Sequence, residues 1–218
     1  MKPNYPLTQS FDELPEQLPL YPMDNALLPD GEFPLELSSS SDLALFISAL
    51  RADQLIGIVQ PKPRNTDGTI YQVGCAGRLR QYRERKDGRL NVMLTGICRF
   101  RIIEQQQHKD GYTTAKVDWS DYKIDYSSED VDSIIINRFK KTLRDYFVRH
   151  NMQADWKVLN RQKTERMVNN LVLIINLDID SKQKLLEAPT LTKRVILFTE
   201  LLANKADPIL ASAPGSKQ

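Results

Sequence analysis

The period of the apolar residues changes at Tyr126, and that switch constrains the fold more than any other feature of the 218-residue chain. Upstream, apolar side chains stand in short runs or alternate with polar ones, as strands require. Downstream they recur every three or four residues, as one face of a helix requires. Strands followed by helices, rather than strands alternating with helices, point to an α+β chain and not to a doubly wound parallel sheet.

The first seventeen residues are polar, with Pro3, Pro6 and Pro15, and read as an extended arm over residues 1–17. Strand text begins with Leu18-Pro19-Leu20-Tyr21 and resumes at Phe33-Pro34-Leu35-Glu36-Leu37. Proline cannot donate to a ladder, so both runs are expected at sheet edges or strand ends. Leu43, Phe46, Ile47 and Leu50 then recur at helical spacing and predict one helix over about 41–51, with Ser41 or Asp42 as its N-cap. Leu55-Ile56-Gly57-Ile58-Val59 has the continuous apolar text of a buried strand, and Pro61–Gly68 the composition of a loop. Two long runs, about Ile70–Arg83 and Leu90–Gln106, meet at Asp87-Gly88, a strong hairpin signal. Lys109-Asp110-Gly111 turns the chain into a last strand, Tyr112–Trp119, for six or seven strands in all. Gly74, Gly77 and Gly96 inside these runs are expected at bulges or bends, the devices that let a sheet curl toward a barrel.

After the switch, Val131, Ile134, Ile135, Phe139, Leu143 and Phe147 predict an amphipathic helix capped by Ser127 or Ser128, with Glu129 and Asp130 in its first turn. Met167, Leu171, Ile174 and Ile175 mark a second helix. A third opens at Asp180, with Gln183 as its capping-box partner, and stops before Pro189. Leu191, Val195, Phe198, Leu201 and Leu202 form a fourth, and four helices on short loops pack as a bundle. The expected organisation is therefore a β-rich lobe over 18–122, a helical lobe over 127–205, and an unstructured Pro/Ser/Ala tail over 206–218.

Composition narrows the setting. At 41% hydrophobic and 27% charged the chain is globular, and it is long enough to bury a core without staples. The longest apolar run, Leu171 to Ile175, is far short of the roughly 20 residues of a membrane span. Met1-Lys2-Pro3-Asn4-Tyr5-Pro6 has no apolar signal region, and two cysteines make no disulfide framework, so a reducing cytoplasm is the expected home. Cys75 and Cys98 each fall in one strand of the hairpin, where a small apolar side chain packs well.

Little in the chain promises chemistry. No glycine loop followed by Lys and Ser or Thr is present to cradle a phosphate. His108 follows a strand and His150 ends a helix, with no nucleophile motif and no metal-ligand spacing beside either. The Ser38–Ser41 run has no base near it and reads as a helix-capping loop. No catalytic, cofactor-binding or metal-ligating residue is assigned, no cofactor is expected, and the substrate-binding residues stay unassigned. The alternative use is nucleic acid. Arg78, Arg80, Arg83, Arg85, Lys86 and Arg89 surround the hairpin tip with Tyr82, and residues 138–166 carry nine basic side chains against Asp145, Asp155 and Glu165. A single-strand binder interleaves several aromatics for stacking, whereas arginines at a strand turn serve equally to solubilise an edge.

Several phrases, in order, resemble the N-terminal domain of Lon proteases. Leu18-Pro19-Leu20-Tyr21-Pro22, Leu28-Pro29 and Phe33-Pro34-Leu35 are similar to its proline-punctuated opening. Ile56–Gln60, Tyr71–Gly77, Asp87-Gly88-Arg89 and above all Leu94-Thr95-Gly96-Ile97-Cys98-Arg99-Phe100-Arg101-Ile102 continue the match, and Gln183-Lys184-Leu185-Leu186-Glu187 resembles a helix of the family. The likeness covers roughly residues 18–203. It implies a curled, mostly antiparallel β lobe (a pseudo-barrel) with one helix, then a helical bundle. It also implies a non-catalytic module that binds protein or unfolded polypeptide segments, or mediates self-association, without the ATPase and protease modules of the full enzymes. Where the family shows Glu-x-Arg-Tyr before its first helix, this chain has Ser38-Ser39-Ser40-Ser41-Asp42, so no binding residue carries over from that loop.

Overall fold

The computed structural model describes residues 10–63 and 68–204; most of the amino-terminal arm, residues 64–67 of the loop and the tail lie outside the described residues. Six strands, β1 (Gln17–Pro22), β2 (Glu32–Leu37), β3 (Leu55–Val59), β4 (Val73–Glu84), β5 (Leu90–Gln107) and β6 (Thr113–Asp118), form one sheet in the order β2-β5-β4-β3-β1-β6. A further pairing of β5 with β6 closes five of them into a barrel and leaves β2 at an edge. The length of β5 makes this geometry: residues 90–95 pair with β2, residues 101–107 with β6, and β4 runs along its other side. Every ladder is antiparallel except that of β1 with β3.

The prolines divide. Pro34 lies in the edge strand, as its missing N–H demands. β1, by contrast, is interior to the sheet. It accepts Pro19 and Pro22 because its partners share it end to end, residues 17–20 pairing with β6 and residues 20–22 with β3. Both turns read from Asp-Gly pairs are present and alike. Gly88 at φ 82 donates to the Arg85 carbonyl, and Gly111 at φ 87 donates to that of His108, conformations that glycine adopts without strain. Gly77 faces Gly96 at a bulge where Ile97 is the extra residue. Gly74 is needed for space: with Gly57 it admits the Phe100 ring, which a Cβ would meet at 2.7 Å and 2.9 Å respectively. Phe100 fills the barrel and packs edge-on against Trp119 at 5.7 Å.

The barrel helix, α1 (Ser40–Arg51), is capped by Ser39 rather than Ser41 or Asp42; Asp42 is the reciprocal partner three residues in, accepting from the Ser39 amide. A 3-10 segment, Ser120–Tyr126, leaves the barrel, and Ser127 hydrogen-bonds back to it through the Ile124 carbonyl, so neither Ser127 nor Ser128 caps the next helix. That helix, α2 (Ser133–Arg149), starts later, on Asp132. Glu129, expected in its first turn, instead accepts the Leu191 and Thr192 amides at 2.6 Å and 3.0 Å and so caps α6 (Leu191–Asn204). Between them run α3 (Trp156–Arg161), α4 (Thr164–Ile174) and α5 (Ile179–Glu187), making five helices after the barrel where the periodicity shows four. At six residues, α3 is too short to display a period. The cap of α5 is Asp178, not Asp180, because Gln183 turns inward and donates to the Val73 carbonyl. Phe139 of α2 meets Phe198 of α6 at 5.5 Å in the core of the helices.

The helices are joined to the barrel by buried polar side chains. Arg99 of β5 is 1% exposed and forms a bidentate pair with Asp125 of the 3-10 segment, its Nη2 lying 2.7 Å from Oδ1. Its Nη1 donates to the Leu186 and Ala188 carbonyls at 3.1 Å and 2.6 Å, the groups that the end of α5 leaves without intrahelical partners. Arg194 of α6 supplies the Leu185 carbonyl and the Asn169 side chain, and Asn169 in turn donates to the Pro29 carbonyl at 2.5 Å. Lys182 reaches Asn25 at 2.8 Å. Burial opposes the charge on Arg99, and the Asp125 carboxylate outweighs it, holding the guanidinium above its ordinary pKa. Arg194 is in no ion pair among the described residues; burial and the nearby Arg99 outweigh the carboxylates of Asp125 and Glu165 and bring its pKa down to about 10.

Candidate functional site

The surface beside this junction is its opposite in character. The outer face of β2, β5 and the end of β4 forms a groove of about 850 Å³ lined by Pro34, Glu36, Gln81, Arg83, Asn91 and Met93 among others. It continues past Pro34 and Met93 into a second hollow of about 480 Å³, walled by Phe33, Leu159, Leu171 and Ile174 where α3 and α4 approach the sheet. Pro34 and Met93 stand opposite each other in the β2–β5 ladder and belong to both parts, so the two make one groove. Its floor is apolar and open: Pro34 is exposed, Phe33, Met93 and Leu159 are half-buried, and Ile174 is 69% exposed. One such residue on a surface is ordinary; a contiguous set in a concave face marks a place for an apolar partner.

The edge of β2 beside the groove is closed to a further strand. The Glu32 amide points away from β5 and donates to Asn170 Oδ1 at 2.9 Å, and Pro34, two residues on, has no amide to offer. Of the outward-facing backbone donors in β2, only that of Glu36 remains, so strand addition at this edge lacks the ladder it needs.

The residues singled out for nucleic acid do not make a continuous basic ribbon. Arg78 is buried and donates to Gln54. Arg85 and Arg89 pair with Glu36 and Asp87, with Arg89 Nη2 at 2.6 Å from the Asp87 carboxylate. Arg83 and Lys86 are exposed at the tip, and Tyr82 packs edge-on against Phe46 at 5.3 Å. The basic residues of 138–166 spread over α2, α3 and α4: Arg144 lies over the Trp156 ring, Arg149 donates to the Leu202 carbonyl and Arg166 pairs with Glu32. His108 stacks on Tyr112, and His150 packs at a tilt against Tyr146. Cys75 stands opposite Arg99 in the ladder and Cys98 opposite Ala76, so the two buried thiols leave opposite faces of the sheet and cannot bond to each other. Among the described residues, no helix is long and apolar enough to cross a membrane.

Comparison with known proteins fits this architecture. The family model of the ATP-dependent protease La (LON) substrate-binding domain matches residues 17–204. Lon protease 2 of Myxococcus xanthus is 27% identical over 204 residues, covering 90% of this chain and 24% of its own length. The Lon protease of Anaeromyxobacter dehalogenans is 25% identical over 210 residues, covering 93% of this chain and 25% of its own length. The chain thus spans about a quarter of the length of these relatives. Among solved structures, the Lon N-terminal domain protein from Xanthomonas campestris superposes with a TM-score of 0.63 at 20% identity, over 86% of this chain and 97% of that one. The N-terminal domain of the Mycobacterium avium complex Lon protease superposes at 0.64 with 16% identity, over 87% of this chain and all of that one. With the family model covering the barrel and all five helices after it, the chain belongs to the Lon substrate-binding domain family.

Proposed function

We propose that this chain recognises polypeptide segments without acting on them chemically, and that they lie in the groove over Pro34 and Met93. The observation that carries this is the exposed apolar floor, continuous from the strand face to Leu159 and Ile174, in a chain of a substrate-binding family. The blocked β2 edge assigns the binding energy to burial of ligand side chains, at about 25 cal/mol per Å² of apolar area. Ordering a flexible segment offsets much of that gain, so a single site should bind on the order of micromolar. Unfolded chains expose such side chains and native ones do not, which makes the groove a discriminator between them. The paired and buried arginines of the hairpin favour this use over a nucleic-acid surface.

Titration with reduced, carboxymethylated α-lactalbumin and with the native protein tests this directly. The unfolded form should bind and the native form should not, and Met93→Lys, which places a charge on the floor, should weaken binding about tenfold. Equal binding of both forms, or an unaffected Met93→Lys variant, would contradict it.

A further inference from the structure

We infer that the groove prefers segments in which a bulky apolar side chain stands two residues from a carboxylate, an inference that rests on the groove being the binding site. Two rows of side chains cross its strand face. Pro34, Met93 and Gln81 stand abreast in one, and Glu36, Asn91 and Arg83 in the next. The rows are separated by two residues on every strand, about 7 Å, which is also the distance between alternate side chains of an extended peptide. A segment lying along the strands therefore sets one side chain on the first row and the next but one on the second.

The two rows differ in chemistry. The first is apolar at Pro34 and Met93, backed by Leu159 and Ile174, with the amide of Gln81 at its far end. In the second, Glu36 is already satisfied: Oε1 accepts from Arg89 at 2.7 Å and Oε2 from Arg85 at 3.2 Å. Asp87 lies against the same two guanidiniums, so two carboxylates balance two arginines. Arg83 is exposed and pairs with no carboxylate among the described residues. It leaves one positive charge in excess at the head of the groove. A ligand carboxylate reaches Arg83 without displacing an existing pair, whereas a ligand ammonium meets it unopposed.

Fluorescein-labelled peptides with Phe-Ser-Glu, Phe-Ser-Gln, Phe-Ser-Lys and Ser-Ser-Glu cores in one glycine-serine frame separate these contributions by anisotropy at low ionic strength. Phe-Ser-Glu should bind about threefold tighter than Phe-Ser-Gln, and Phe-Ser-Lys about threefold weaker, the size of an exposed ion pair. Added salt should compress the series. Arg83→Glu should reverse the order. Ser-Ser-Glu should bind weakest, because charge alone gives no floor contact. Equal affinity of the three Phe peptides, or an order unchanged by Arg83→Glu, overturns the carboxylate preference while leaving the groove standing if Met93→Lys still weakens all three. If Met93→Lys weakens none of them, the groove itself is overturned.

Discussion

The junction between barrel and helices and the groove beside it are built from the same strands to opposite specifications. At the junction, Arg99, Asn169, Lys182, Gln183 and Arg194 are all buried, and each donates to an acceptor on another element. Such contacts have one good geometry and are expensive to break, because separation strands charges and carbonyls away from water. In the groove, Pro34, Met93 and Ile174 leave apolar surface that no element among the described residues covers. The contrast separates a surface fixed by internal polar contacts from one that leaves apolar side chains exposed. It leads to the expectation that the barrel and the helices after it unfold as one cooperative unit, although the two differ wholly in secondary structure.

The largest expected effect is at the junction. Asp125→Asn removes the charge opposing a fully buried Arg99 and should lower stability by about 3–5 kcal/mol in a urea melt, with barrel and helices still unfolding in a single transition. Two separate transitions would show that the junction does not couple them. In the groove the balance reverses. Met93→Lys should change stability by no more than about 0.5 kcal/mol while weakening polypeptide binding about tenfold. A large loss of stability there would place Met93 with the core.

The smallest effect belongs to Glu129, which is partly exposed and caps α6 from a distance. Burial raises its pKa, but the hydrogen bonds from Thr192 and Leu191 outweigh this and hold it below the ordinary value. A depressed carboxylate contributes stability that is present above its unfolded-state pKa, about 4.3, and is lost as pH falls through the folded value. Glu129→Gln should therefore cost about 0.5–1 kcal/mol near neutral pH, allowing for solvent screening, and nothing once the pH has fallen below the depressed folded value. A difference that persists in acid would mean that shape rather than charge makes the cap.

Arg99 and Arg101 show what the sequence holds and what it does not. Along β5, Phe100 turns into the barrel and Arg99 and Arg101 away from it, as the strand period of two requires. Yet Arg99 is 1% exposed, and the Arg101 side chain is 47% exposed, because α5 covers one of them and not the other. That difference depends on contacts 87 and 89 residues away, to Leu186 and Ala188, which no local period records. The hairpin, the turns at Gly88 and Gly111, α1 and the edge position of β2 were legible because a few adjacent residues decide them. Caps were less so: Ser39, Asp132 and Asp178 each cap a helix where a neighbouring Ser or Asp fits the same rule. The groove was not legible, and the sequence left the substrate-binding residues unassigned. Pro34 marks an edge strand in the sequence, but the meeting of β2 and β5 with Leu159 and Ile174 is tertiary.

Backbone amide NMR during titration with an unfolded polypeptide tests the groove most directly. Shifts should concentrate at Phe33, Leu35, Met93, Leu159 and Ile174, which flank or line the floor, and should be absent with the same polypeptide in its native fold. Saturable shifts confined to the hairpin tip at Lys86 or to α2, with the floor amides unmoved, would contradict it.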